Sequence, residues 1–161
     1  MIVRRYWQWS LVLGFVFFPA PVFALLITLT FQSIPGSVTL TGAGTNSATL
    51  NFGNVSAFEP LNTGVGRTVG ASSYTISTSF GVRTTHLLSL LSPNYTLQAR
   101  LQSAQPLTWK VDGVTMSTTA ATIGTSQPYA TTVPHTLAFV VPFTQSAGAI
   151  TTVLEVTAIA N

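Results

Sequence analysis

A chain of 161 residues with no cysteine and only 6% charged side chains, where about a quarter is usual, has few means of ionic chemistry. Disulfides, thiol catalysis and zinc–thiolate sites are excluded outright. The formal net charge of +3 owes much to Arg4 and Arg5. Beyond residue 24, Arg67, Arg83, Arg100 and Lys110 face Glu59, Asp112 and Glu155, a balance of +1, with no cluster of the kind that displaces counterions from nucleic-acid phosphates.

The start of the chain reads as an export signal. Arg4 and Arg5 form a positive n-region, and Leu11 to Phe18 is an uncharged apolar run. Pro19-Ala20-Pro21 breaks that run, and Val22-Phe23-Ala24 supplies a cleavage site. This is the layout of a secretory signal peptide, so residues 1–24 are expected to form a signal helix that is removed. The alternative is an uncleaved anchor, because Leu11 to Phe31 is 21 residues without a charge, long enough to cross a bilayer. Two prolines inside that run, each costing about 3 kcal/mol in a helix interior, favour cleavage. The expected destination is the periplasm, the cell surface or the medium, with membrane contact only through this segment where it is retained.

Residues 25–161 are the size of one domain able to bury a core without covalent staples. Its first stretch alternates: Leu25, Ile27, Leu29 and Phe31 fall on one side of an extended chain, and Leu26, Thr28, Thr30 and Gln32 on the other. Val38 to Thr41 and Ala48 to Phe52 are short strands separated by the Gly42–Asn46 turn cluster. Glu59 to Gly70, with one proline and three glycines, reads as a long loop.

Ser73 to Phe80 alternates well, and Tyr95 to Gln102 gives the cleanest period of two in the chain. His86 to Leu91 is ambiguous between a helical turn and an irregular strand. Asp112-Gly113 tolerates the positive φ angles of a type I′ turn, so Trp109 to Met116 is expected to be a tight hairpin. Thr136 to Phe143 and Ile150 to Ala160 complete about eight short strands, the pattern of an all-β antiparallel sandwich.

Catalytic constellations are scarce. The three carboxylates are far apart in sequence, and Asp112 is explained by its turn. His86 and His135 lack partners at metal-ligand spacing, and no H-E-x-x-H or EF-hand run occurs. No G-x-S-x-G elbow is present. Gly64 to Gly70 lacks the P-loop lysine and the dinucleotide glycine spacing, so it reads as a loop. The chain is therefore expected to be non-enzymatic, with no cofactor and no metal. Asn54-Val55-Ser56 and Asn94-Tyr95-Thr96 match the glycosylation acceptor pattern. Most aromatics, including Tyr74, Phe80, Tyr95 and Phe139, share faces with aliphatic residues and are expected in the core. Trp109 and Tyr129 are kept as candidate exposed ligand contacts.

Two segments resemble bacterial secreted β-sandwich proteins of the pilin and spore-coat-U type: Leu50-Asn51-Phe52-Gly53-Asn54-Val55, and Ala147 to Ile150 continuing through Val153 to Ala158. The chain departs from them in having no cysteine for a disulfide and in ending Ile159-Ala160-Asn161. The resemblance implies an immunoglobulin-like surface subunit that polymerises by accepting a strand from its neighbour. Leu25, Ile27, Leu29 and Phe31 are the candidate strand donor, unless the same segment is the first strand of its own sandwich. The leading expectation is an exported structural or adhesive surface subunit whose partners are its own copies or other surface proteins. The alternative is a secreted module that binds carbohydrate or another small polar ligand.

Overall fold

The computed structural model describes residues 27–86 and 92–161; the expected signal helix, Leu25 and most of the ambiguous His86–Leu91 stretch lie outside them. Among the described residues the chain is all-β and antiparallel, as the alternation predicts. Its strands are β1 (Ile27–Gln32), β2 (Leu40–Thr41), β3 (Thr49–Leu50), β4 (Gly66–Val69), β5 (Ser73–His86), β6 (Asn94–Leu101), β7 (Thr108–Val111), β8 (Val114–Thr115), β9 (Ala121–Pro128), β10 (Thr132–Pro142) and β11 (Leu154–Ala160). No helix among them is long and apolar enough to cross a membrane.

The larger sheet is built on β5. One side of β5 pairs with β10 from Ser73↔Pro142 to Arg83↔Thr132, and β7 and then β8 follow. Two strands share the other side. β4 lies opposite Tyr74 to Ser77, and β1 lies opposite Gly81 to His86. The smaller sheet runs β11–β6–β9, and β2 and β3 form a separate short ribbon.

The inward faces meet in one core. Ile76, Phe80 and Val82 of β5 and Leu137, Phe139 and Val141 of β10 pack in the same cluster as Tyr95, Leu97, Ala99 and Leu101 of β6. Each side chain of this size contributes about 1.5–3 kcal/mol on full burial, which is how the domain dispenses with disulfides.

Turn chemistry holds where the sequence marks it. Asp112 and Gly113 have φ of 49° and 81°, and Val111 pairs with Val114 across them. Gly64, at φ 84°, runs so close to Ser37 that a Cβ would come within 2.2 Å of its carbonyl carbon.

Several boundaries differ from expectation. Val38 to Thr41 and Ala48 to Phe52 shrink to the two-residue strands β2 and β3, and the expected Glu59–Gly70 loop contains β4. β5 extends six residues past Phe80, because Val82, Thr84 and His86 continue its inward face. β9 has no sequence signature. It is a bulged edge strand containing Gly124, with Ile123 as its one fully buried residue.

Candidate functional site

Three places in the sandwich hold chemistry. The first is β1. In the register Ile27↔His86 to Gln32↔Gly81, Leu29 and Phe31 turn inward against the core, with the Phe31 ring 6.2 Å from that of Phe80. Thr30 Oγ1 donates to the Arg83 carbonyl at 3.2 Å, and Gln32 Nε2 donates to Thr30 Oγ1 at 3.1 Å. On the outer side, Phe31 N donates to Thr45 O and Phe31 O accepts from Gly44 N. No residue of β1 is fully buried. Of the candidate donor set, Ile27, Leu29 and Phe31 therefore complete the chain's own sheet, and Leu25 is outside the described residues.

The second place is the end of the sandwich where β1 begins. β5 alternation carries Thr84 and His86 inward past Val82, where they meet Tyr95 of β6 and Tyr129 of the β9–β10 connection. The His86 and Tyr129 rings are 5.2 Å apart at their centroids, and those of Tyr95 and Tyr129 are 5.1 Å apart. Both ring nitrogens of His86 and Tyr129 Oη are buried and have no hydrogen-bond partner among the described residues, while the buried Thr84 and Tyr95 hydroxyls face each other. Burial pushes the Tyr95 phenol up from its ordinary value; the nearby Thr84 hydroxyl opposes this and Tyr129 adds to it. Ser126, near the end of β9, and Ala130, in the connection, adopt φ of 50° and 59° and bend the chain into this position. A non-glycine residue held in that region costs on the order of 1–3 kcal/mol. Ala130 N donates to Thr84 O at 2.8 Å, which ties the bend to β5.

Tyr129, expected as an exposed contact, is half-buried with its hydroxyl turned inward. Trp109 requires a plainer correction. It is 4% exposed and packs on Phe139 with ring centroids 4.7 Å apart. Alternation along β7 puts Trp109 and Val111 on the core face and leaves Lys110 outward.

The third place is the opposite end, around an exposed aromatic group absent from the sequence expectations. Phe58 is 78% exposed and Phe143 42%. Their rings lie 6.2 Å apart at an interplanar angle of 13°, and Tyr74 lies 6.0 Å from Phe143 at 28°. Arg67 of β4 holds the loop that presents Phe58, donating from one Nη1 to Ser56 O at 2.8 Å and Glu59 O at 2.7 Å. Ser56 Oγ accepts the amides of Phe58 and Glu59.

Between β1 and β4 the edge of β5 is open at Thr78 to Phe80. Thr78 Oγ1 bridges this gap, accepting Val38 N–H at 3.1 Å and donating to Gly64 O at 2.8 Å. A polar pocket of about 350 Å³ beside it is lined by Ser37, Gly64, Ser77, Ser79 and Thr136.

The ionisable residues are dispersed. Glu155 pairs with Arg100 at 2.6 Å on the surface. Asp112 and His135 form a separate pair, with Nδ1 and Oδ2 2.6 Å apart. Among the described residues no three His, Asp or Glu gather at metal-ligand spacing. Of the two acceptor sequences, Asn54 is exposed, whereas half-buried Asn94 bonds Asn161 through its side chain. No protein-family model matches the chain, and no curated protein matches its sequence.

Proposed function

We propose that this chain is an exported, non-enzymatic surface subunit, structural or adhesive in role, that associates by exchanging an edge strand. One observation carries the reading: the first strand, only six residues long and nowhere fully buried, alone covers the Gly81–His86 edge of the longest strand in the fold. The same ladder forms equally well with a strand delivered by another molecule, because main-chain hydrogen bonds supply affinity and alternate side chains fill pockets. The export signal and the nearly uncharged, hydroxyl-rich surface support this reading, since such surfaces resist approach weakly.

Electron microscopy and size-exclusion chromatography of the exported form, with and without Leu25–Gln32, test it. Concentration-dependent oligomers that disappear on deletion are expected. Oligomers that persist without the segment contradict it.

The aromatic end favours a second reading, a module that binds neutral glycan through Phe58, Phe143 and Tyr74. Aromatic faces pack against apolar sugar surfaces, and the Arg67 clasp holds Phe58 in place before binding. A glycan array in which Phe58→Ala and Phe143→Ala abolish binding would support it, and an array with no binding at all would dismiss it.

A further inference from the structure

The two ends of the sandwich expose different chemistry. β5 starts at Ser73 and finishes at His86, about 40 Å away at the rise of an extended strand. Both ends of the domain lie near His86, since Ile27 pairs with His86 and Ala160 with Tyr95. The Ser73 end holds three of the six large apolar side chains exposed among the described residues: Phe58, Val69 and Phe143. Val69 stands directly opposite Tyr74, and the Tyr74 and Phe58 rings lie 6.0 and 6.2 Å from that of Phe143.

This patch carries one polar side-chain group, the Tyr74 hydroxyl. The adjoining segments 54–59, 70–73 and 144–149 hold a single charge, on Glu59. Arg67, which donates to the Glu59 carbonyl, offsets it. The end is therefore apolar at its tip, neutral in sum, and rimmed by hydroxyl and carboxamide residues. Because the Arg67 clasp already holds the Phe58 loop, little order has to be gained on contact.

Area and polarity select the partner. With about 200 Å² for a whole phenylalanine, Phe58, Phe143 and Val69 expose on the order of 300 Å². A stable protein interface draws about 800 Å² from each side, so a second copy is poorly held by this patch. A glycan brings many hydroxyls that need donors and acceptors, and the patch offers one. A lipid surface needs neither, because apolar side chains enter the acyl boundary singly and binding grows with their area.

We infer that the Phe58–Phe143 end of the folded domain docks on a lipid surface. Phe58, Phe143 and Val69 enter the acyl boundary, and the neutral rim rests among the headgroups. This contact is separate from the export signal, whose sequence joins the domain at Ile27, at the other end of β5. The inference rests on the exported, adhesive part of the reading above and names the surface adhered to; it does not require strand exchange. Without net charge at the tip, docking depends on apolar area and not on salt.

Co-sedimentation of the exported chain with phosphatidylcholine vesicles tests this. Equal partitioning at low and high salt is expected, with no gain from added phosphatidylglycerol. Phe58→Ala is expected to weaken partitioning about tenfold without lowering Tm. Ile159→Ala, which removes an exposed apolar side chain near Tyr95, is expected to leave it unchanged. In a Phe58→Trp chain, lipids brominated on their acyl chains are expected to quench the new indole. No partitioning of the parent, a requirement for anionic lipid, or equal losses in Phe58→Ala and Ile159→Ala each overturn the inference. Glycan binding in place of vesicle binding overturns it and assigns the patch to the glycan module. A soluble dimer split by Phe58→Ala, in place of vesicle binding, overturns it in favour of a second copy. None of these results alters the strand-exchange test, which reads oligomers formed through Leu25–Gln32.

Discussion

Asp112 Oδ2 lies 2.6 Å from His135 Nδ1, while Oδ1 of the same carboxylate accepts the Thr136 amide at 2.7 Å. One turn residue thus fastens the β7–β8 hairpin to the middle of β10. It does so from a left-handed backbone conformation, φ 49°, that Asp and Asn adopt more readily than most residues.

Asp112→Ala removes both acceptors, strands a buried imidazole nitrogen and strains the turn. The expected loss is about 3 kcal/mol in urea denaturation. Asp112→Asn keeps the turn and one acceptor for Thr136, so its loss is expected to be about half as large. An alanine variant as stable as the parent would contradict this role.

Tyr95 sets an alkaline limit. Burial holds its phenol above the ordinary value of 10.0, so the folded chain keeps a proton that the unfolded chain gives up near pH 10. Its contribution is whole below that pH and is lost as pH rises through the folded value. Denaturation series from about pH 8 to about pH 11 are expected to show a fall that Tyr95→Phe flattens. A fall of the same size in the variant would assign it elsewhere.

Arg67→Ala frees the carbonyls of Ser56 and Glu59 without touching the core. Faster proteolysis within Asn54–Asn62 is expected, with global stability changed by no more than about 1 kcal/mol. Unchanged cleavage would show that Ser56 Oγ alone shapes the loop.

Trp109→Ala is expected to cost about 3–5 kcal/mol, the usual range for deleting a buried indole. Trp109→Phe should cost less, since the indole nitrogen has no partner to lose. A glycan-contact role with an intact fold in the alanine variant would refute the core placement.

The class of fold was legible because period two is a direct consequence of strand geometry. Tyr95–Leu101 and Asp112-Gly113 carry that signal undiluted. β9 escaped because a bulged edge strand with one fully buried side chain needs no alternation. Trp109 packs inward and its neighbour Lys110 faces outward because adjacent strand residues point oppositely, a side that a four-residue strand does not declare in sequence. The Asp112–His135 pair and the Phe58–Phe143–Tyr74 group join residues 23 to 85 positions apart in the chain, which no local pattern encodes.

The most direct test of strand exchange is native-state hydrogen exchange along the sheet. β1 amides bonded to β5 are expected to exchange through a local opening far easier than global unfolding, with β10 amides protected to the global limit. Equal protection of β1 and β10 would make the first strand an inseparable part of the fold and would contradict the account.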